Sequence, residues 1–297
     1  MNRLPKTLLA LAAVLAAGSA GADSLSLRFS NSIYQDDKDI ALHDPEGVAC
    51  TDSTLVVADT ANARFVKYQL QNGAPVSSAV MKIESFQQPT ALQFDTKGNL
   101  FVLDRKARRI GRIDPQGAFG GWVELKGIAS PEAVVPVAFK VDGSDGFVLL
   151  DAPARRVLVL DPAGQVTRQV PLPPGEFTDV AVDPAGVLFA VDSTDSVVWA
   201  AEKGATAFKA LSKSLKDVLV FPAFLVATPK GVLLVADQHG HGVVLVGNDG
   251  TFLGRQLGQG FIEGNLYYPS QICMNGKGEV FVADRYNNRV QVFVTQR

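Results

Sequence analysis

The chain of 297 residues is poor in the groups that most often carry chemistry or staple a fold: it has 2 cysteines and 3 histidines. Two thiols, Cys50 and Cys273, cannot build the dense disulfide framework of a small secreted domain, so the core must supply most of the stability. No C-x-x-C-H and no C-x-x-C occurs, which excludes an attached c-type haem and the common redox and zinc motifs. G-x-S-x-G, P-loop and H-E-x-x-H signatures are absent too. Neither sign of charge dominates, with 28 Lys and Arg against 30 Asp and Glu. That balance supplies no global attraction to nucleic acid or to an anionic membrane.

What is present is apolar: 47% of the residues are hydrophobic and 20% charged, which argues against disorder and against a collagen-like fibre. At this length one domain is expected only for architectures that grow by adding like units; otherwise two domains are expected. The first 22 residues hold Arg3 and Lys6, no acid, and an apolar stretch from Leu8 to Ala17. The run is too short to cross a bilayer as a helix, and Ala20-Gly21-Ala22 offers the small side chains that a signal peptidase reads. Residues 1–22 are therefore expected to be a signal peptide, leaving a mature chain 23–297 of net charge −4, since 26 bases then face 30 acids. No later apolar run is long enough to span, so stable membrane insertion is not expected after cleavage. The expected location is the periplasm or the medium.

An apolar run ending in Asp recurs six times, at Asp59, Asp104, Asp151, Asp192, Asp237 and Asp284, at intervals of 45, 47, 41, 45 and 47 residues. Fifteen residues before the Asp stands Pro89, Pro136, Pro222 or Pro269; the first copy has Pro45 one residue nearer, and the fourth has Phe177. Five residues after it stands Arg64, Arg109, Arg156 or Arg289, with Val197 and Gly242 in the fourth and fifth copies. Within each copy, short runs of Val, Leu, Ile and Phe alternate with Gly, Pro and Asp turn chemistry such as Asp114-Pro115-Gln116-Gly117. Four strands fit each unit, and a period near 45 residues built of four strands predicts a propeller blade. The copies run about 44–83, 87–126, 130–172, 176–215, 221–258 and 268–297. The sixth ends one strand short. Leu25, Leu27 and Phe29 alternate with polar neighbours, so the segment 24–30 is expected to supply the missing outer strand and close the ring.

The final copy, YYPSQICMNGKGEVFVADRYNNRVQVF, resembles the NHL repeat, with Asn287 and Arg289 where that family keeps its Asn and Arg; Asn62 and Arg64 match in the first copy. The resemblance implies a six-bladed all-β propeller with four antiparallel strands per blade. It implies no single activity, because NHL propellers serve as protein-binding, RNA-binding and enzymatic scaffolds. Some secreted bacterial relatives accompany multihaem cytochromes or other envelope assemblies.

Each repeated Asp and its Arg lie at the ends of a four-residue connection, so they are expected to pair across the hairpin as architecture. Arg105, Lys106, Arg108, Arg109 and Arg112 form the densest basic patch; Arg105, Lys106 and Arg108 are candidates for binding a partner, although a solvated surface is the plainer expectation. Cys50 and Cys273 fall on neighbouring first strands once the ring closes. Two buried free thiols are the expectation there, with a closing disulfide as the alternative. His239 and His241 follow Asp237 and are further candidates for partner contact; with Glu46 they are also weak candidates for metal, although an exposed glycine-flanked loop explains the histidines as well. The amidating lyase that resembles NHL propellers uses three zinc-binding histidines spread over different blades, whereas two of the three here share one loop. Lactonases of the gluconolactonase type hold a divalent cation with Glu, two Asn and Asp. Glu46 matches their first acid, but the equivalent positions are Thr90, Val137, Thr178, Ala223 and Ser270. The expected protein is a binding or assembly scaffold for another envelope or extracellular protein, with no cofactor and no nucleic-acid ligand; a metal-dependent propeller enzyme is the alternative.

Overall fold

The computed structural model describes residues 25–296, and the expected signal at 1–22 lies outside them. Six separate four-stranded antiparallel sheets are arranged as blades. Their innermost strands are Pro45–Cys50, Pro89–Phe94, Pro136–Val141, Phe177–Val182, Pro222–Ala227 and Pro269–Met274. Proline suits the first residue of a strand, where no ladder donor is required. Each innermost strand shifts register after its first residue or two, and this recurring bulge bends the strand where it leaves the loops.

The last blade is completed by the strand Ser26–Ile33, which runs antiparallel to Arg289–Gln296 from Ser26 opposite Gln296 to Ile33 opposite Val290. The sequence periodicity places this strand correctly, and it extends three residues beyond the expected segment. Leu25 and Leu27 are buried against Leu245, Val280 and Phe293, so the closure is a packed interface as well as a ladder. Six apolar clusters fill the gaps between neighbouring blades. Second strands such as Thr54–Asp59 and Glu279–Asp284 are buried almost throughout, because each is flanked by a sheet on both faces.

Every second strand ends on the repeated Asp, which is fully or almost fully buried in all six blades. The residue before each third strand, Ala63, Arg108, Arg155, Ser196, His241 or Asn288, adopts a left-handed conformation with φ between 49° and 57°. The same strained turn six times requires an anchor. The Asp carboxylate provides it by accepting amide N–H groups from the loop ahead of its own blade: His43 in the first, Gln88 in the second, Val135, Glu176, Phe221 and Tyr267 in the others. The acid thus ties two loops of one face together.

Candidate functional site

Connections into each innermost strand and between each second and third strand all emerge on one face, and there the central channel opens into a cavity of about 360 Å³. Glu46, second residue of the first innermost strand, is 4% exposed. Its carboxylate accepts from Arg105 Nη2 at 3.2 Å and sits 3.2 Å from Arg285 Nη2. Both arginines directly follow the repeated Asp of their blades, so this position faces the channel. Ser270 Oγ donates to Glu46 O at 2.7 Å and Thr178 Oγ1 to Pro222 O at 2.7 Å, which spends these hydroxyls on neighbouring blades.

Below the mouth the channel is crossed by buried polar side chains. Lys140 Nζ lies 2.7 Å from Asp179 Oδ2, which also accepts from Leu225 N at 2.7 Å, and Nζ stands 3.4 Å from the centre of the Phe224 ring. Burial pushes the Lys140 ammonium below its ordinary pKa and the Asp179 carboxyl above its own, each offset by the partner's charge. Gln271 accepts from Val48 N and Leu92 N and donates to Leu92 O, stitching three blades across the axis. A second cavity of about 230 Å³ lies beyond this waist, and Cys50 and Cys273 line it. These cysteines are bonded, with Cα atoms 6.0 Å apart, rather than the two free thiols expected. Cys50 pairs with Leu55 and Cys273 with Phe281, so the two stand one step apart relative to their blades' Asp. That step turns one side chain toward the face of its neighbour and the other toward the back.

The expected Asp–Arg pairs form in three blades: Asp59 with Arg64 at 2.6 Å, Asp151 with Arg156 at 2.8 Å and Asp284 with Arg289 at 2.8 Å. Arg109 departs from the expectation. It makes no ion pair with Asp104, whose carboxylate is taken by the amides of Gln88 and Ala107; its guanidinium instead lies 5.1 Å from the Trp122 ring. In the fifth blade Arg255, from the outermost strand Phe252–Gln256, reaches Asp237 at 2.7 Å and replaces the missing hairpin arginine. Asp192 is satisfied by the amides of Glu176, Thr194 and Asp195. The basic patch is divided: Arg105 joins the mouth, Lys106 is exposed, and Arg108 with Arg109 lines a cleft between blades two and three.

His239 and His241 belong to an aromatic ledge beside the mouth. The His239 ring stacks on Phe221 at 4.6 Å, and its Nε2 shares a hydrogen bond of 2.7 Å with the Tyr268 hydroxyl. His241 stacks on Tyr267 at 5.1 Å, and its Nδ1 accepts from Tyr268 N at 3.0 Å. Tyr268 stacks in turn on Tyr286 at 4.5 Å, and Phe261 tilts against Tyr267. Burial holds His241 below the ordinary imidazole pKa, helped by His239 and Arg255 and opposed by Asp237. Among the described residues, no three of His, Cys, Asp and Glu converge as metal ligands. Sequence reasoning missed Arg285, Tyr268, Tyr286 and Phe261. The available signal was the residue following each repeated Asp, a column reading Thr60, Arg105, Ala152, Ser193, Gln238 and Arg285.

Residues 266–293 match the family model of the NHL repeat. With six blades of four strands around the channel, the chain is a six-bladed β-propeller whose last blade carries an NHL repeat. No curated protein matches it. Among solved structures it resembles a streptogramin B lyase, with a TM-score of 0.65 and 11% identity over 92% of this chain and 98% of that one. A gluconolactonase from Xanthomonas campestris gives 0.65 and 15% over 91% and 98%, and a virginiamycin B lyase from Staphylococcus aureus 0.62 and 12% over 91% and 99%. At such identities these likenesses define the fold alone.

Proposed function

We propose that this propeller is an exported binding module that holds a protein partner on its loop face, in the periplasm or outside the cell. One observation carries the reading. Of the ten exposed large hydrophobic side chains among the described residues, Tyr34, Ile40, Val137, Val220, Phe261, Ile262 and Tyr286 belong to that face. Concentrated apolar exposure marks interaction sites on soluble proteins, and aromatic side chains with arginine at hand are the composition of interface hot spots. The charge and apolar pattern of residues 1–22 supports export.

The test is a photo-crosslinking residue placed at Phe261, 74% exposed on the loop face, and in parallel at Phe252 on the outermost strand of the fifth blade, away from that face. Expressed in native exporting cells, the first is expected to yield one discrete adduct by mass spectrometry, lost on Ile262→Ser, and the second none. Equal labelling from both positions, or none from Phe261, would reject the reading.

A second reading, chemistry on a small molecule at the mouth, is favoured by the 360 Å³ cavity and by Asp179 Oδ1 and Arg285 Nε, buried near it without hydrogen-bond partners. The lyases and the gluconolactonase of similar fold lend it support. A lactonase-type cation does not fit the residues present, because two guanidiniums already flank the Glu46 carboxylate and the other acid lining the cavity, Asp179, is paired with Lys140. Metal analysis of the purified protein separates the readings: stoichiometric calcium or zinc, lost on Glu46→Ala or His239→Ala, would favour the enzyme.

A further inference from the structure

Only the first and last copies keep both the Asn and the Arg of the NHL repeat, Asn62 with Arg64 and Asn287 with Arg289. In both blades these side chains reach past their own hairpin and hold the loop ahead of the innermost strand. Arg64 Nη2 donates to Ile40 O at 3.1 Å, and Asn62 Nδ2 to Ala41 O at 2.9 Å. Arg289 Nη2 donates to Ile262 O and to Asn265 O, at 2.9 Å each, and Asn287 Nδ2 to Gly260 O at 3.0 Å. Both arginines are buried, so each loop is fastened from beneath by hydrogen bonds from a charged donor.

Further bonds stiffen both loops and join them. Asp36 accepts from Lys38 N at 2.9 Å and from Ile40 N at 3.0 Å, and Gln291 accepts from Gly264 N at 2.8 Å. The Tyr34 hydroxyl accepts from Arg289 Nη1 at 3.1 Å and donates to Glu263 Oε1 at 3.2 Å, which couples the first loop to the second. What this fixed backbone displays is apolar: Ile40, Phe261 and Ile262 are exposed, and Tyr34 is exposed between them. Apolar groups held rigid in water cost little further ordering when a partner covers them. Acids surround them. Asp37, Asp39, Asp44 and Glu263 stand on the two loops against one base, Lys38, while Asp36 is spent on Arg64 and the neighbouring Arg285 is shared between Glu46 and Asp44.

We propose that these two loops form one docking surface, and that its occupant is a protein segment presenting apolar side chains flanked by lysine or arginine. Burial of Ile40, Phe261 and Ile262 supplies the affinity, and the acidic rim steers a basic segment while repelling anionic lipid headgroups. The Asn and Arg of the first and last copies are positioning residues for this surface. Its placement rests on the reading that the loop face holds a protein, and it adds where on that face the partner sits and what chemistry it carries.

The test is fluorescence anisotropy of two labelled amphipathic helical peptides, one of leucine and lysine and one of leucine and glutamate, titrated with the whole mature protein. The lysine peptide should bind saturably and the glutamate peptide should not. Ile40→Ser and Ile262→Ser should each weaken binding about tenfold, the loss of one buried aliphatic side chain. Asp39→Asn with Glu263→Gln should weaken it about threefold and flatten its dependence on salt. Val76→Ser, on the outermost strand of the first blade, should leave it unchanged. Absence of saturable lysine-peptide binding overturns the proposal, as does equal affinity for the two peptides or binding untouched by both isoleucine substitutions. Sedimentation of the protein with phosphatidylglycerol-containing vesicles, lost on Ile262→Ser, would overturn it in favour of a lipid surface. The crosslink from Phe261 judges whether a partner is held on the loop face at all, so a discrete adduct together with silent titrations strikes the docking chemistry alone.

Discussion

Lys140 and Asp179 are buried, and the ion pair they form offsets a desolvation penalty that neither bears well alone. Lys140→Met should therefore destabilise the protein by about 3–5 kcal/mol, because it leaves a buried carboxylate uncompensated, whereas Lys140→Met combined with Asp179→Leu should recover most of that loss. Urea unfolding of the singles and the double completes the cycle; two additive losses would mean that the pair is not coupled. His241 presents the other residue-scale consequence of burial. Its Nδ1 accepts the Tyr268 amide only while unprotonated, and its folded pKa lies below the ordinary value of about 6.5. The unfolded chain thus takes up the proton first, so the stability this residue contributes is complete above about pH 6.5 and is lost as pH falls through the depressed folded value. Wild type should lose more stability than His241→Phe between neutral pH and about pH 5, since phenylalanine keeps the stacking on Tyr267 without titrating. Parallel urea midpoints for the two proteins would refute this account.

At the scale of the element, a hairpin was legible wherever local chemistry decided it. The Pro that opens five of the six innermost strands, the Asp that ends each second strand and the alternation of Leu25, Leu27 and Phe29 all mark real features, because strand starts, buried carboxylates and half-buried strands leave residue-type signatures. Side-chain partnership was less legible. Arg109 keeps the repeat position yet loses its acid to backbone amides, and Asp237 finds Arg255 from a different strand, a substitution that spacing along the chain does not reveal. The mouth was opaque for the same reason: Glu46, Arg105 and Arg285 meet only when three blades converge. Arg64 illustrates what a formed pair does. It bridges Asp59 of its own hairpin and Asp36 of the preceding loop, at 2.6 Å each, and all three side chains are buried. Burial alone would raise the Asp36 pKa, but amides of Ile40 and Lys38 together with Arg64 outweigh it and hold the carboxyl below its ordinary range. Stability from Asp36 is accordingly present above about pH 4 and lost as pH falls through the lower folded value. Arg64→Leu should cost about 3–5 kcal/mol by leaving two carboxylates buried, while Arg109→Leu should change stability by less than about 1 kcal/mol. Differential scanning calorimetry of the two variants checks the contrast, and equal losses would remove the distinction between paired and unpaired copies.

For the whole molecule, the ring is closed twice, and the two closures act on different states of the chain. The strand Ser26–Ile33 covers the edge of Arg289–Gln296 and so belongs to the folded protein. The bond from Cys50 to Cys273 spans 223 residues of sequence and acts mainly by shrinking the unfolded ensemble, by about 5 kcal/mol on the loop-entropy account. Cys50→Ser with Cys273→Ser should therefore lower the urea midpoint and steepen the transition, because a longer free chain exposes more surface on unfolding, yet leave the protein monomeric. Deleting the residues through Ile33 should do the opposite kind of harm: the third strand of the last blade then presents an unpaired edge, and the protein should associate through it. Size-exclusion chromatography of both variants decides the division of labour. Association of the cysteine-free protein would mean that the strand alone does not hold the ring shut, and a monomeric strand deletion would mean that the disulfide does.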